Sequence, residues 1–181
     1  HHVTTAGGVK LYVLPGSDGA FTDAAFSCDG VTDAKLQAAV TACAGKRLLL
    51  TISHAWTTAV SQLAVTGMGT TLEALPGVQF SYAAATNNGI LISGANCALS
   101  GLTVNAPATF DGANVAPTYA VIRATGDGAK VHGCTLNNVP KVGIWFDDVN
   151  TCAAWENTIN GNFPIGDYTD ITTGHFAIAI N

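Results

Sequence analysis

Charged side chains are scarce in this chain of 181 residues. Only 10% of its residues are charged, and its 7 Lys and Arg against 12 Asp and Glu give a net charge of −5. A nucleic-acid-binding surface needs many clustered cations, so this composition excludes nucleic acid as an expected partner. The chain also lacks any run of about 18 apolar residues, and we therefore expect no membrane insertion.

Metal-binding and disulfide patterns are also missing. The five cysteines form no CxxC pair, and no His stands beside them at ligand spacing; they are Cys28, Cys43, Cys97, Cys134 and Cys152. We therefore predict no metal site, no cofactor and no disulfide framework. Buried free thiols, which behave as small apolar side chains, are the interpretation that fits these residues.

Apolar and small residues are abundant, with 48% hydrophobic residues and 20 glycines, a composition that excludes a disordered chain. The spacing of Leu36, Ala39, Val40 and Cys43 predicts one helix over 33–44, beginning at Thr32 or Asp33 and followed by Gly45. Short β-rich runs separated by Gly, Asn, Asp and Pro then continue to the end. We therefore divide the chain into an N-terminal segment, 3–46, and a β region, 47–181.

Three segments of the β region align without gaps, each ending in Thr, an aliphatic residue and Asn. They are 98–105, 130–137 and 153–160, with periods of 32 and 23 residues, and their last three columns are Thr103–Asn105, Thr135–Asn137 and Thr158–Asn160. Unequal periods, with an insertion at 106–118, indicate a β-solenoid whose coils differ in loop length. In stacked coils the Asn side chains are predicted to form an amide ladder, the aliphatic residues to point inward and the Thr residues to point outward.

Two stretches carry a resemblance to a known family. Residues 28–40, CDGVTDAKLQAAV, resemble the DGVTDDTAALQAAI opening of the pectate-lyase-like superfamily, and 72–80, LEALPGVQF, resemble its next coil. The resemblance implies an all-β fold, a single-stranded right-handed parallel β-helix with a short N-terminal capping helix. The second acidic residue after DGVTD and the family's glycine-rich strand are missing. This departure favours the bacteriophage tailspike or capsule-depolymerase type.

The resemblance implies a function as well as a fold. We expect a fragment of a phage tailspike or tail-fibre protein that recognises, and in full length degrades, a bacterial capsular or O-antigen polysaccharide. It also implies a homotrimer in the virion tail. The odd number of cysteines and the absence of a visible signal peptide indicate production in the host cytoplasm. The apolar stretch 175–181 would leave a solenoid uncapped, so we expect truncation at the C-terminal end.

Two alternatives stay open. One is a non-catalytic appendage that adheres to glycans through a face formed by Thr103, Thr135, Thr158 and aromatic residues. The other is a secreted pectinase-like polysaccharide lyase. The sequence does not decide whether this chain is itself an enzyme, because the active site of the full-length protein could lie outside it. Paired carboxylates would favour hydrolysis, and a smooth Thr/Asn face without them would favour adhesion.

Acidic residues are concentrated near the last repeat, and Asp147, Asp148 and Glu156 are the candidate catalytic residues. Hydrolysis of a glycosidic bond uses two carboxyl groups roughly 5 to 10 Å apart. The sequence also offers Asp167, Tyr168 and Asp170, in the following loop, as substrate-binding residues.

Aromatic residues provide the remaining site prediction. If Ile144 and Phe146 point inward, Trp145 projects from the outer face beside Asp147, an arrangement suited to binding a sugar ring. The alternative places Trp145 in the core. Trp155 is predicted to be a core residue, because it has the same strand parity as Ile159.

Overall fold

The structure is a computed structural model. It describes residues 2–4, 10–13, 23–26, 32–58, 61–83, 88–107, 120–139, 141–161 and 176–180. These residues form one helix, α1 (Asp33–Ala42), and short strands. The strands are β1 (His2–Thr4), β2 (Lys10–Val13), β3 (Asp23–Phe26), β4 (Arg47–Leu50), β5 (His54–Trp56), β6 (Leu63–Val65), β7 (Thr71–Ala74), β8 (Gln79–Tyr82), β9 (Ile90–Ile92), β10 (Ala98–Ser100), β11 (Thr103–Asn105), β12 (Ile122–Ala124), β13 (Lys130–His132), β14 (Thr135–Val139), β15 (Val142–Phe146), β16 (Ala153–Trp155), β17 (Thr158–Gly161) and β18 (Phe176–Ile180).

From β4 onward the strands form a parallel β-helix of five coils, each with three strands. Sheet A has the order β1-β2-β3-β4-β7-β10-β13-β16, sheet B the order β17-β14-β11-β8-β5, and sheet C the order β18-β15-β12-β9-β6. Coil 1 therefore contains β4, β5 and β6, and coil 5 contains β16, β17 and β18. The predicted all-β solenoid with a short helix near its N-terminal end is confirmed.

Like residues stack in columns because neighbouring coils pair in register. Leu72 of β7 pairs with Leu99 of β10, which pairs with Val131 of β13, and all three are fully buried. The same holds in sheet C for Ile90, Ile122 and Ile144. Removing these aliphatic columns from water is the main source of stability, since each fully buried side chain contributes about 1.5 to 3 kcal/mol.

The predicted amide ladder is present in sheet B. Asn137 Nδ2 donates to Asn105 Oδ1 at 2.9 Å, and Asn160 Nδ2 donates to Asn137 Oδ1 at 2.9 Å. Asn105 in turn donates to Oε1 of Gln79 at 3.0 Å, extending the ladder by one coil. Thr103, Thr135 and Thr158 also stack in register, and Val104 and Leu136 beneath them are fully buried.

Coil length varies at the corner between sheets B and C. Residues 106–121 connect β11 to β12, whereas only 140–141 connect β14 to β15. The predicted insertion, 106–118, therefore falls at this corner, and most of it lies outside the described residues. The insertion leaves the pairing of β11 with β14 and of β12 with β15 in register, so coils of different length stack without breaking the core.

Helix α1 closes the first coil through specific side-chain contacts. Thr32 caps the helix, its Oγ1 accepting from Lys35 N at 3.3 Å. The Gln37 side chain acts as a strand partner, because Nε2 donates to Ala64 O at 2.8 Å and Oε1 accepts from Ala64 N at 2.9 Å. The edge of β6 is thus satisfied, and the predicted apolar stripe of the helix packs inward through Leu36, Ala39, Val40 and Cys43.

A second contact ties the start of α1 to the turn after β5. The carboxylate of Asp33 accepts from Nε2 of His54 at 2.7 Å, from Thr57 N at 2.9 Å and from Thr58 N at 2.8 Å. The hydroxyl of Thr58 also donates to it, at 2.5 Å. Burial alone would raise the pKa of Asp33, but these hydrogen bonds dominate and lower it to about 2.

Strands β1 to β3 show that the N-terminal segment contributes to the β-structure. β1 pairs antiparallel with β2 and β2 with β3, while β3 pairs parallel with β4. Sheet A is therefore continuous across residue 46, where composition predicted a boundary. The sequence pattern predicted one helix in this segment and did not predict these strands. The division into two segments stays a prediction.

The described cysteines are free thiols. Cys43, Cys97 and Cys134 are buried and Cys152 is half-buried, while Cys28 lies outside the described residues. Burial raises the pKa of Cys43 to about 11, and it also raises the pKa of Cys97 and Cys134. These three thiols therefore stay protonated and pack as small apolar side chains.

We predict that Asp33→Asn lowers the free energy of unfolding at pH 7 by about 2 kcal/mol, because the lowered pKa stabilises the folded state. The pKa in the folded state lies below the ordinary value of 3.8. The contribution is therefore complete above about pH 4 and is lost as the pH falls toward 2. Urea unfolding at several pH values measures it, with the exposed Asp148→Asn as control. Identical urea unfolding curves for the wild type and Asp33→Asn at pH 7 would show that the hydrogen bonds of Asp33 do not stabilise the folded state.

Candidate functional site

Register places an Arg, a Trp and an Asp together on the outer side of sheet C. Arg123 of β12 pairs with Trp145 of β15, and Asp147 follows that strand directly. The neighbouring Ile122, Ile144 and Phe146 are buried in the core, so Arg123 and Trp145 have the outward parity. The sequence predicted the neighbourhood of Trp145 and Asp147, but it did not identify Arg123.

Arg123 is the centre of this cluster. Its Nε donates to Oδ2 of Asp147 at 3.0 Å, and its Nη2 contacts the same oxygen. Its Cζ lies 4.8 Å from the centroid of the Trp145 ring, within the range of a cation–π interaction. The side chains of Arg123 and Asp147 are 27% and 17% exposed, so the ion pair is reachable from solvent but partly shielded from it.

Trp145 combines features of both predicted alternatives. It faces outward by register, yet only 7% of it is exposed, and it packs with Ala120, Val142 and Ala179. Its Nε1 is buried, and no residue in the described ranges accepts a hydrogen bond from it.

The candidate acids differ in their surroundings. Asp147 is held by Arg123, and Asp148, which precedes β16, is exposed. Glu156 is exposed at the opposite end of β16, a strand of three residues that spans roughly 10 Å. The structure thus brings Asp147 and Trp145 together, but it does not bring Glu156 to them. Asp167, Tyr168 and Asp170 lie outside the described residues.

The prediction that Trp155 belongs to the core is wrong, because Trp155 is 42% exposed. Its ring stacks on that of His132 in the preceding coil, with centroids 4.4 Å apart and planes at 9°. Glu156 explains the error. It has φ +56°, and Gly133 at the same corner one coil earlier has φ +61°. A left-handed residue between two strands resets the inward–outward alternation, so the parity of Ile159 does not carry back to Trp155.

Sheet A carries a second ion pair on its surface. Arg47 Nε donates to Oε2 of Glu73 at 2.7 Å, and both side chains are about one-third exposed. This hydrogen bond is the main cause of a lowered pKa at Glu73. A carboxyl group held ionised in this way is unsuited to donating a proton.

Sheet B presents a different surface, on which uncharged polar side chains form two columns. We call it the Thr/Asn face, and it consists of Gln79, Thr103, Thr135 and Thr158 in one column and Ser81, Asn105, Asn137 and Asn160 in the other. All eight side chains are exposed or half-buried. The sequence predicted the Thr and Asn columns from coil 3 onward, and the structure adds Gln79 and Ser81 of coil 2.

The described ranges contain neither a metal-binding cluster nor a membrane-spanning helix. No group of three or more His, Cys, Asp or Glu side chains is placed to bind a metal ion there. No helix among these residues is long and apolar enough to cross a membrane.

Comparison with known proteins yields no relative. No protein-family model matches the chain, and searches of curated proteins and of solved structures found no match. The parallel β-helix is therefore established by the strand pairing described above.

We predict that Arg123 and Asp147 are coupled by about 1 kcal/mol, the upper part of the range for partly exposed ion pairs. Urea unfolding of Arg123→Gln, Asp147→Asn and the double variant gives this coupling as a double-mutant cycle. The more exposed Arg47 and Glu73 pair provides the control cycle, with an expected coupling within about 0.5 kcal/mol. Additive effects of the two substitutions at Arg123 and Asp147 would show that the pair contributes nothing.

Proposed function

We propose that this chain is part of a phage tailspike or tail-fibre protein of the pectate-lyase-like type, and that it recognises a bacterial capsular or O-antigen polysaccharide. In this proposal copies of the chain assemble as a homotrimer in the virion tail. The support comes from the parallel β-helix, from the helix that closes its first coil, and from the motif at 28–40 that resembles the opening of that superfamily.

The observation that carries the proposal is the Thr/Asn face. Its hydroxyl and amide groups both donate and accept hydrogen bonds, as the hydroxyl groups of a glycan do. The amide ladder fixes the Asn side chains at 2.9 Å spacings between donor and acceptor, so little side-chain freedom is lost on binding. Of the functions considered, glycan adhesion is therefore the one that the described residues support best.

Degradation of the polysaccharide is a second candidate, favoured by one observation. Asp147 lies against Arg123, whose guanidinium covers one face of Trp145, so a carboxylate and an aromatic ring occur in one partly shielded cluster. Hydrolysis also needs a second carboxyl group at roughly 5 to 10 Å. Asp148 is exposed and Glu156 lies beyond β16, so the partly shielded cluster itself contains one carboxylate, and adhesion is placed first.

We predict that Thr103→Val combined with Thr135→Val weakens polysaccharide binding about tenfold or more, because two hydroxyl contacts are lost while shape and β-propensity are kept. The wild type and the variant are compared by affinity electrophoresis against purified capsular and O-antigen polysaccharides.

Thr71→Val on sheet A is the matched control and should bind as the wild type does. If the wild type binds none of the polysaccharides, the proposed recognition is wrong. If the double variant binds as well as the wild type, the Thr/Asn face is not the binding surface.

For degradation, we predict that any shortening of a bound polysaccharide is lost in Asp147→Asn and kept in Glu73→Gln, whose carboxylate lies on sheet A. Product length by size-exclusion chromatography measures this, and ultraviolet absorbance of unsaturated products distinguishes a lyase from a hydrolase. Shortening by Asp147→Asn at the wild-type rate would exclude Asp147 as a catalytic residue. Binding without shortening would leave adhesion as the function of these coils.

A further inference from the structure

The charge and the spacing of the side chains on the Thr/Asn face fit one kind of glycan. We infer that this face binds a neutral polysaccharide in an extended conformation, lying along the axis of the β-helix with about one sugar residue over each of coils 2 to 5. This inference rests on the proposed glycan recognition, and it adds the charge, the direction and the length of the bound segment.

The Thr/Asn face is uncharged. The eight side chains of the Thr/Asn face include no Asp, Glu, Lys, Arg or His. Burying a carboxylate of an acidic glycan against this face would remove water from the charge without providing a cation, and unpaired buried charges are costly. A chain bearing hydroxyl and acetamido groups meets no such penalty. The face therefore discriminates against acidic chains.

Positively charged side chains that could bind an acidic glycan occur on other faces of the molecule. Lys130 lies on β13 and Arg47 on β4, so both belong to sheet A. Arg123 belongs to sheet C and is paired with Asp147. Among the described residues, the positive charges named here thus lie on faces other than the Thr/Asn face.

Periodicity gives the direction. In-register coils repeat about every 4.8 Å along the axis, while the two columns of the face are about 6.6 Å apart along each strand. Thr103, Thr135 and Thr158 therefore present one hydroxyl per coil, at a spacing close to the length of one pyranose residue in an extended chain. A chain lying along the axis meets equivalent groups at each sugar, and a chain crossing the strands does not.

The amide ladder leaves enough capacity for a ligand. Each Asn Nδ2 has two hydrogens and each Oδ1 has two acceptor sites, and the ladder uses one of each at Asn105 and Asn137. The remaining donor and acceptor at each coil are held in a fixed orientation by the ladder. The β-branched Thr side chains are also restricted at χ1, so the surface is organised before the ligand arrives.

The first test is length dependence. Oligosaccharides of increasing length are prepared from a neutral polysaccharide that the protein binds, and their affinities are measured by isothermal titration calorimetry. We expect the affinity to rise about fivefold with each added sugar, as one or two hydrogen bonds are gained, and to level off at four residues, one for each of coils 2 to 5. Full affinity from a disaccharide would overturn the axial arrangement.

The second test is the sign of the charge. Thr135→Lys should weaken binding of the neutral polysaccharide about as much as Thr135→Val does, and the loss should be the same at low and high salt. Thr71→Lys on sheet A is the matched control, with no expected effect. Tighter binding by Thr135→Lys, or a preference of the wild type for uronate-containing polysaccharides, would overturn the assignment of a neutral ligand while leaving glycan recognition intact. Absence of binding to every polysaccharide would instead refute the proposed function.

Discussion

In-register stacking of the coils is the constraint on which the rest of the structure depends. Because each strand pairs with the equivalent strand one coil away, inward aliphatic residues lie on one another in columns, as Leu72, Leu99 and Val131 do. The same rule places Asn137 between Asn105 and Asn160, where one amide can donate to the next. A single geometric condition thus produces both the dry core and the ordered polar surface.

Stacking also requires that the first coil be closed, because an exposed edge of paired strands invites association. Helix α1 meets this need with side chains that imitate a strand. Gln37 pairs with both backbone groups of Ala64, and Asp33 accepts from the backbone of Thr57 and Thr58. The helix is therefore more than an apolar cover, since it satisfies hydrogen-bonding groups that another strand would otherwise satisfy.

The repeat was readable from the sequence because stacking makes columns chemically uniform. The Thr, aliphatic and Asn columns of sheet B could be aligned by residue type alone, and the structure bears them out. Trp155 could not be placed in this way, because Glu156 occupies a corner position held by Gly133 in the preceding coil, and its positive φ is not visible in the residue type. The pairing of Arg123 with Trp145 was missed for a related reason, since that column has no common chemistry.

The candidate site shows the same contrast between repeated features, which the sequence reveals, and features that occur once. Surfaces built by repetition, such as the Thr/Asn face, were predictable in part. The contact of Arg123 with Asp147 occurs once, so no repeated pattern in the sequence indicates it. The same is true of the stacking of Trp155 on His132. The repeated surface is the stronger candidate for binding, because eight uncharged polar side chains there face the same way. The Arg123 cluster contains a partly shielded carboxylate, Asp147, and it is therefore the candidate site for cleavage of the glycan.

The most direct test of this account is an NMR titration with a polysaccharide that binds, following side-chain amide and indole N–H signals together. We expect the side-chain amide signals of Asn105, Asn137 and Asn160 to shift and the indole signals of Trp145 and Trp155 to stay unchanged. Shifts confined to the two indoles, with the Asn amides unchanged, would contradict it and would move the binding surface away from sheet B.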